Sequence, residues 1–286
     1  MDPLLLHASQ LDPSWVEREY NNRDLVPEHP RYFARWEKDS QFVRETLPAR
    51  LDVPYGPDPR QRIDLFPARG SGKLLVFIHG GYWRGLDKRM FAWLAPPFVA
   101  EGVSVALVSY RLCPAVHITD IVDDAIAAIN WLMANAEAQG TGAREVVISG
   151  HSAGGHLVAA IWAAAHERLT FDPSRIAGGL PLSGIYDFSP LPYFSGNADF
   201  GLDTAAARKL DLYYRKPTLA APLVVAVGRE ESSEFVRQSC LLADRWSAQV
   251  RALHVLPGAH HFSVLDPLAE RGQPLHAAVL SLFEPA

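Results

Sequence analysis

Cysteine is scarce in this chain: Cys113 and Cys240 are the only two among 286 residues, and no Cys-x-x-Cys spacing occurs. That excludes a disulfide framework and leaves two buried free thiols as the expected state, with a single bridge as the alternative. No apolar stretch reaches membrane-spanning length. The first ten residues, MDPLLLHASQ, carry an acid where a signal peptide needs bases, and their apolar run is only Leu4 to Leu6. A cytoplasmic location is therefore expected. Charge of one sign is never concentrated: the net charge of −5 arises from interspersed acids and bases. The basic stripe of a nucleic-acid binder is missing. So is HExxH or another clear metal-ligand cluster. No repeat or low-complexity segment is present.

What the chain does have is ordinary globular composition, 48% hydrophobic and 21% charged, at a length that gives an α/β domain ample core. The first fifty residues read as polar helix and loop, with Trp15, Tyr20, Tyr32, Phe33 and Trp36 scattered among charges. Such a segment is expected to wrap a core. A regular alternation then begins. Leu74 to Gly80, Val103 to Tyr110, Glu145 to Gly150, Ile176 to Asp187, Pro222 to Gly228 and the RALHVL run read as strands. Between them lie helical patterns. Ile118 to Ala138 places Ile118, Ile121, Val122, Ala125, Ile126, Ile129 and Leu132 on one face, with acids opposite. Strands alternating with helices predict an α/β fold with a mainly parallel sheet, covered on both faces. Residues 188–217 are too long and irregular for a simple connection and read as a lid insertion. Residues 1–286 are expected to form one domain.

Gly150-His151-Ser152-Ala153-Gly154-Gly155 follows a strand and opens a helix pattern. This is G-x-S-x-G in its strand–turn–helix setting, the nucleophile elbow of α/β-hydrolases, and it makes Ser152 the candidate nucleophile. Upstream, a strand ends in His79-Gly80-Gly81-Tyr82-Trp83. The backbone N–H groups of Gly81, Tyr82 and Ala153 are the expected oxyanion donors. The candidate bases are His260 and His261, adjacent after the last strand, since His254 falls within a strand and His276 within a helix. Position alone does not choose between the pair. The acid is expected after the strand ending at Gly228, where Glu230, Glu231 and Glu234 compete, with Asp187 outside that loop as a further candidate.

HGGYW (79–83), GHSAGGHL (150–157), LSGIYDFSPL (182–191), SSEFVRQS (232–239) and HHF (260–262) resemble the α/β-hydrolase kynurenine formamidases. VPYGP (53–57) and IDLFPA (63–68) fit as well, so the resemblance runs from about Leu51 onward. It implies Glu231 as the acid, immediately before the S-x-E-F run, and His261, directly before Phe262, as the base. Family members carry Asp where this chain has Glu231. It further implies hydrolysis of N-formylkynurenine to kynurenine and formate, with no metal or cofactor. A short-chain carboxylesterase with the same triad is the nearest alternative, and a non-catalytic binding module a more distant one. Trp83, Tyr186 and Tyr193 are expected to contact substrate, with Phe188 and Phe194 in the same apolar slot. The expected partners are a small-molecule substrate and, for self-association, a second copy in a homodimer. Neither nucleic acid nor a membrane is expected.

Overall fold

The computed structural model describes residues 4, 6, 11–70, 72–164 and 166–284. Three helices open the chain: α1 (Pro13–Tyr20), α2 (Asn22–Leu25) and α3 (His29–Thr46). Eight strands form one sheet: β1 (Arg50–Pro54), β2 (Arg62–Phe66), β3 (Lys73–Ile78), β4 (Val103–Val108), β5 (Glu145–His151), β6 (Ile176–Leu182), β7 (Leu223–Gly228) and β8 (Val250–Leu256). Their spatial order is β1-β2-β4-β3-β5-β6-β7-β8. β2 runs antiparallel to both β1 and β4, while every later neighbour pair is parallel. The remaining helices are α4 (Ala95–Ala100), α5 (Ile118–Ala134), α6 (Ala153–Ala163), α7 (Asn197–Phe200), α8 (Thr204–Leu210), α9 (Ser233–Arg245), α10 (Asp266–Ala269) and α11 (Pro274–Ser281).

Apolar side chains leave both faces of the sheet. One cluster joins Val76, Ile78 and Ile148 to α5 and α6 through Ile121, Ile129, Leu157 and Trp162. The other joins Leu75, Phe77 and Val147 to Trp36 of α3, Phe98 of α4 and Val279 of α11. Burial on both faces is why the central strands read as continuous apolar runs rather than alternating ones. The helix expected over 118–138 ends at Ala134, and its acids are not all on the outer face. Asp124 is buried, held by the Arg111 guanidinium at 2.6 Å and by the Gln61 amide at 2.8 Å. The strand expected over 176–187 stops at Leu182, because Ser183 turns to φ +50° and takes the chain out of the sheet.

Two strands escaped the sequence. β1 and β2 are RLDVP and RIDLF, whose charged residues interrupt the apolar pattern. Asp64 of β2 is nevertheless fully buried, paired with the ammonium of Lys88 at 3.1 Å and with the Arg44 guanidinium from α3. A buried carboxylate is tolerated only when its oxygens are satisfied in this way.

The N-terminal helices do wrap the core, and they are tied down by polar contacts as well as apolar ones. The Tyr20 hydroxyl donates to Glu234 Oε1 at 2.6 Å, and the Gln238 amide donates to the Tyr20 oxygen at 2.8 Å. Gln238 also bonds the Asp187 carbonyl, and Arg237 pairs with the Asp187 carboxylate at 2.9 Å. Glu234, Arg237 and Gln238 of α9 thus clamp α1 against the chain leaving β6. This is the structural content of the S-x-E-F-x-R-Q run.

Candidate active site

The carboxyl ends of parallel strands converge on one edge of the sheet, the place where ligands bind in open α/β sheets. Ser152 stands at the end of β5 with φ +57° and ψ −120°, a conformation costly for a residue with a Cβ. The turn is enforced by its neighbours. Gly154 lies so close to β3 that a Cβ there would sit 2.0 Å from the Ile78 carbonyl oxygen. Gly154→Ala should therefore cost about 3 kcal/mol, the upper end for an overpacked core. A thermal melt checks this, and an unchanged Tm would contradict the close approach.

The loop after β3 abuts this elbow: a Cβ on Gly80 would fall 2.9 Å from the Ser152 Cβ. His79 sets its geometry. Burial lowers that imidazole to about 4, so it is neutral, and it stacks on Tyr110 at 4.4 Å. Its Nδ1–H donates to the Gly80 carbonyl at 2.7 Å. Because the peptide is planar and trans, the Gly81 N–H points the opposite way. Gly81 has φ +106°, and Tyr82 and Trp83 follow at +51° and +53°. Ala153 opens α6, so its N–H is among the free donors of a helix start.

Beyond β7, Glu231 Oε1 accepts hydrogen bonds from the Gly228 N–H at 2.8 Å and the Ser183 hydroxyl at 2.5 Å. Its other oxygen faces His261 Nδ1 at 2.6 Å, with the Glu231 side chain fully buried. A carboxylate only accepts, so Nδ1 of His261 carries the proton and Nε2 is left as the basic nitrogen. His260 holds the opposite tautomer. Its Nδ1 accepts from the N–H groups of Phe262 and Ser263 at 3.2 and 3.3 Å, and Nε2 reaches the Tyr32 hydroxyl at 3.1 Å. The rival acids are elsewhere: Glu230 is exposed, while Glu234 and Asp187 are committed to Arg237.

Ser152 and His261 line a cavity of about 350 Å³, within the usual range for small-molecule sites. Its wall includes Gly81, Tyr82, Leu86, His151, Phe194 and Phe262, together with Phe33 and Trp36 from α3. Burial and the adjacent His261 push the His151 imidazole well below its usual value, so it stays neutral.

Residues 75–248 match the family model described as the alpha/beta hydrolase fold. The chain belongs to that family. This hydrolase is 25% identical to the kynurenine formamidase of Salmo salar over 288 residues, covering 96% of this chain and 94% of that one. The kynurenine formamidase of Drosophila melanogaster is 28% identical over 229 residues, covering 75% of each. Among solved structures, a candidate thioesterase from Silicibacter sp. TM1040 superposes with a TM-score of 0.83 at 33% identity, covering 93% of this chain and 98% of that one.

The hydrolase brings Ser152, His261, Gly81 and Tyr82 to one cavity, with Ala153 and Glu231 directly behind. It does not bring Trp83, Tyr186 or Tyr193 into the cavity lining. Trp83 is fully buried, its indole N–H bonded to His156 at 3.2 Å and its ring packed against Phe188 and Phe200. The left-handed turn at Trp83 sends that side chain inward. Tyr186 is buried against Gly184, and Tyr193 is exposed. The aromatic wall comes instead from Phe33, Trp36 and Phe262, alongside Tyr82 and Phe194. Ser183, the second support of Glu231, was missed, although it lies inside the LSGIYD run.

Cys113 is buried and Cys240 half-buried, and both are free. Among the described residues, no three His, Cys, Asp or Glu side chains are placed to hold a metal ion, and no helix is long and apolar enough to cross a membrane.

Proposed function

We propose that this hydrolase cleaves N-formyl-L-kynurenine to L-kynurenine and formate, with Ser152 as nucleophile, His261 as base and Glu231 as acid. The observation that carries the reading is the His261–Glu231 pair. Its free imidazole nitrogen shares an aromatic-walled cavity with a serine held in a strained turn. Full-length likeness to kynurenine formamidases supports the substrate class.

In this mechanism the Ser152 oxygen attacks the formyl carbon while His261 Nε2 takes its proton. Glu231 stabilises the imidazolium that forms. The oxygen of the tetrahedral intermediate accepts hydrogen bonds from the N–H groups of Gly81, Tyr82 and Ala153, an arrangement typically worth several kcal/mol. His261 then protonates the departing aryl amine, leaving a formyl-enzyme. Water, deprotonated by the same imidazole, releases formate. The Gly228 N–H and Ser183 hydroxyl hold the far oxygen of Glu231, so its side chain reaches Nδ1 in a fixed pose.

The purified protein should release kynurenine from N-formyl-L-kynurenine. Across formyl, acetyl, butyryl and octanoyl aryl substrates, kcat/KM should be highest for formyl. A steady rise towards octanoyl would reveal an open acyl channel. It would favour a second reading, an esterase or thioesterase, and the Silicibacter relative bears a thioesterase name.

A further inference from the structure

The cavity above Ser152 changes character towards solvent. Its deeper wall is aromatic, but the lining also includes Arg23, Arg84 and Asp199, with Asn21 and Asn22 beside them. Arg84 follows the oxyanion loop, and its guanidinium bonds the Asp199 carboxylate of α7 at 2.5 Å, the two side chains 37% and 39% exposed. Arg23, on α2, rests its guanidinium over the Phe33 ring at 5.7 Å. It has no carboxylate partner among the described residues. Asn22 is only 4% exposed, and its amide nitrogen has no hydrogen-bond partner among the described residues. A buried amide left unpaired is costly, and so is evidence for an acceptor that arrives with a ligand.

We propose that this rim recognises a zwitterionic α-amino-acid group on the substrate, with Arg23 taking the carboxylate and Asp199 the ammonium. That the substrate has an aryl ketone and an α-amino-acid end rests on the formamidase reading; that Arg23 and Asp199 hold that end rests on the rim. A planar guanidinium matches a carboxylate with two parallel hydrogen bonds, and Arg23 has none of them committed to an acid. Exposed ion pairs such as Arg84–Asp199 add little stability, so Asp199 can turn to an incoming ammonium at small cost. Arg84 remains beside it to balance the charge. The Asn22 amide adds a donor for the carboxylate or for the aryl ketone. A substrate lying with its acyl bond at Ser152 and its ring among Phe33, Trp36 and Phe262 would present its polar end to these groups.

Calorimetric binding to the Ser152→Ala protein tests the rim without turnover. The ligands are L-kynurenine and 2-aminoacetophenone, the same aryl ketone without the amino-acid end. L-Kynurenine should bind about tenfold tighter or more, the scale of a charge-assisted contact. In the same background, Arg23→Met and Asp199→Asn should each shrink that preference at least about fivefold, the reach of one such contact. Binding of 2-aminoacetophenone should stay unchanged, which also reports an intact pocket. Equal affinity for the two ligands, or a preference that neither variant narrows, overturns the proposal. A protein that cleaves N-formyl-L-kynurenine yet binds both ligands equally keeps the formamidase reading and loses the rim. One that prefers L-kynurenine but does not cleave the formamide loses the formamidase reading and keeps the rim.

Discussion

Ser152→Ala should leave a folded protein whose turnover falls by roughly 10⁴-fold or more, the loss expected when a triad nucleophile is removed. The fold should survive because the Ser152 oxygen is not what holds the turn. Ser152 keeps its place through its backbone, whose N–H donates to the Leu182 carbonyl at 2.9 Å and whose carbonyl accepts from His156 at 3.1 Å. Alanine retains both. It also retains the Cβ, so the strain at φ +57° is unchanged and no new clash with Gly80 is created. Activity loss without a change in melting temperature is therefore the expected signature. Steady-state turnover of N-formyl-L-kynurenine, with circular dichroism on the same sample, reads both. Substantial turnover in a well-folded Ser152→Ala protein would remove Ser152 from the role.

The second large effect separates adjacent histidines. His261→Ala should abolish turnover to a similar degree, because the nitrogen opposite its contact with Glu231 is the proposed base. His260→Ala should retain much of the activity and lose stability instead. The His260 ring accepts two backbone N–H groups of the following turn and reaches Tyr32 on α3. Removing it strips those partners, at about 1–3 kcal/mol where the groups stay shielded from water. Paired measurements of kcat and Tm on both variants distinguish the roles. A dead His260→Ala beside an active His261→Ala would exchange them.

The chemistry-bearing edge was legible because each of its parts follows a buried parallel strand, and such strands announce themselves as apolar runs. Gly80, Ser152 and Gly228 all fall within a few residues of where those runs stop. The choice among neighbouring candidates was less legible. His260 and His261 differ in sequence by one position, and only the path of the turn decides which imidazole meets Glu231 and which supports the backbone. The same holds for Glu231 against Glu230, since the β7 exit buries one side chain and exposes the other. The cavity wall was the least legible part. Trp83, Tyr186 and Tyr193 sit near the site in sequence, but backbone turns carry the first two into the core and leave Tyr193 in solvent. Phe33 and Trp36 are more than a hundred residues from Ser152, on a helix whose charged composition gives no hint of a ligand.

The helices before β1 are a stretch of chain separate from the edge they cover. The family-model match over residues 75–248 spans Ser152 and Glu231 but not α2 or α3. Substitutions at Arg23, Phe33 or Trp36 should alter what the cavity accepts while leaving the serine, the imidazole and the carboxylate in place. Library design aimed at new substrates would begin there.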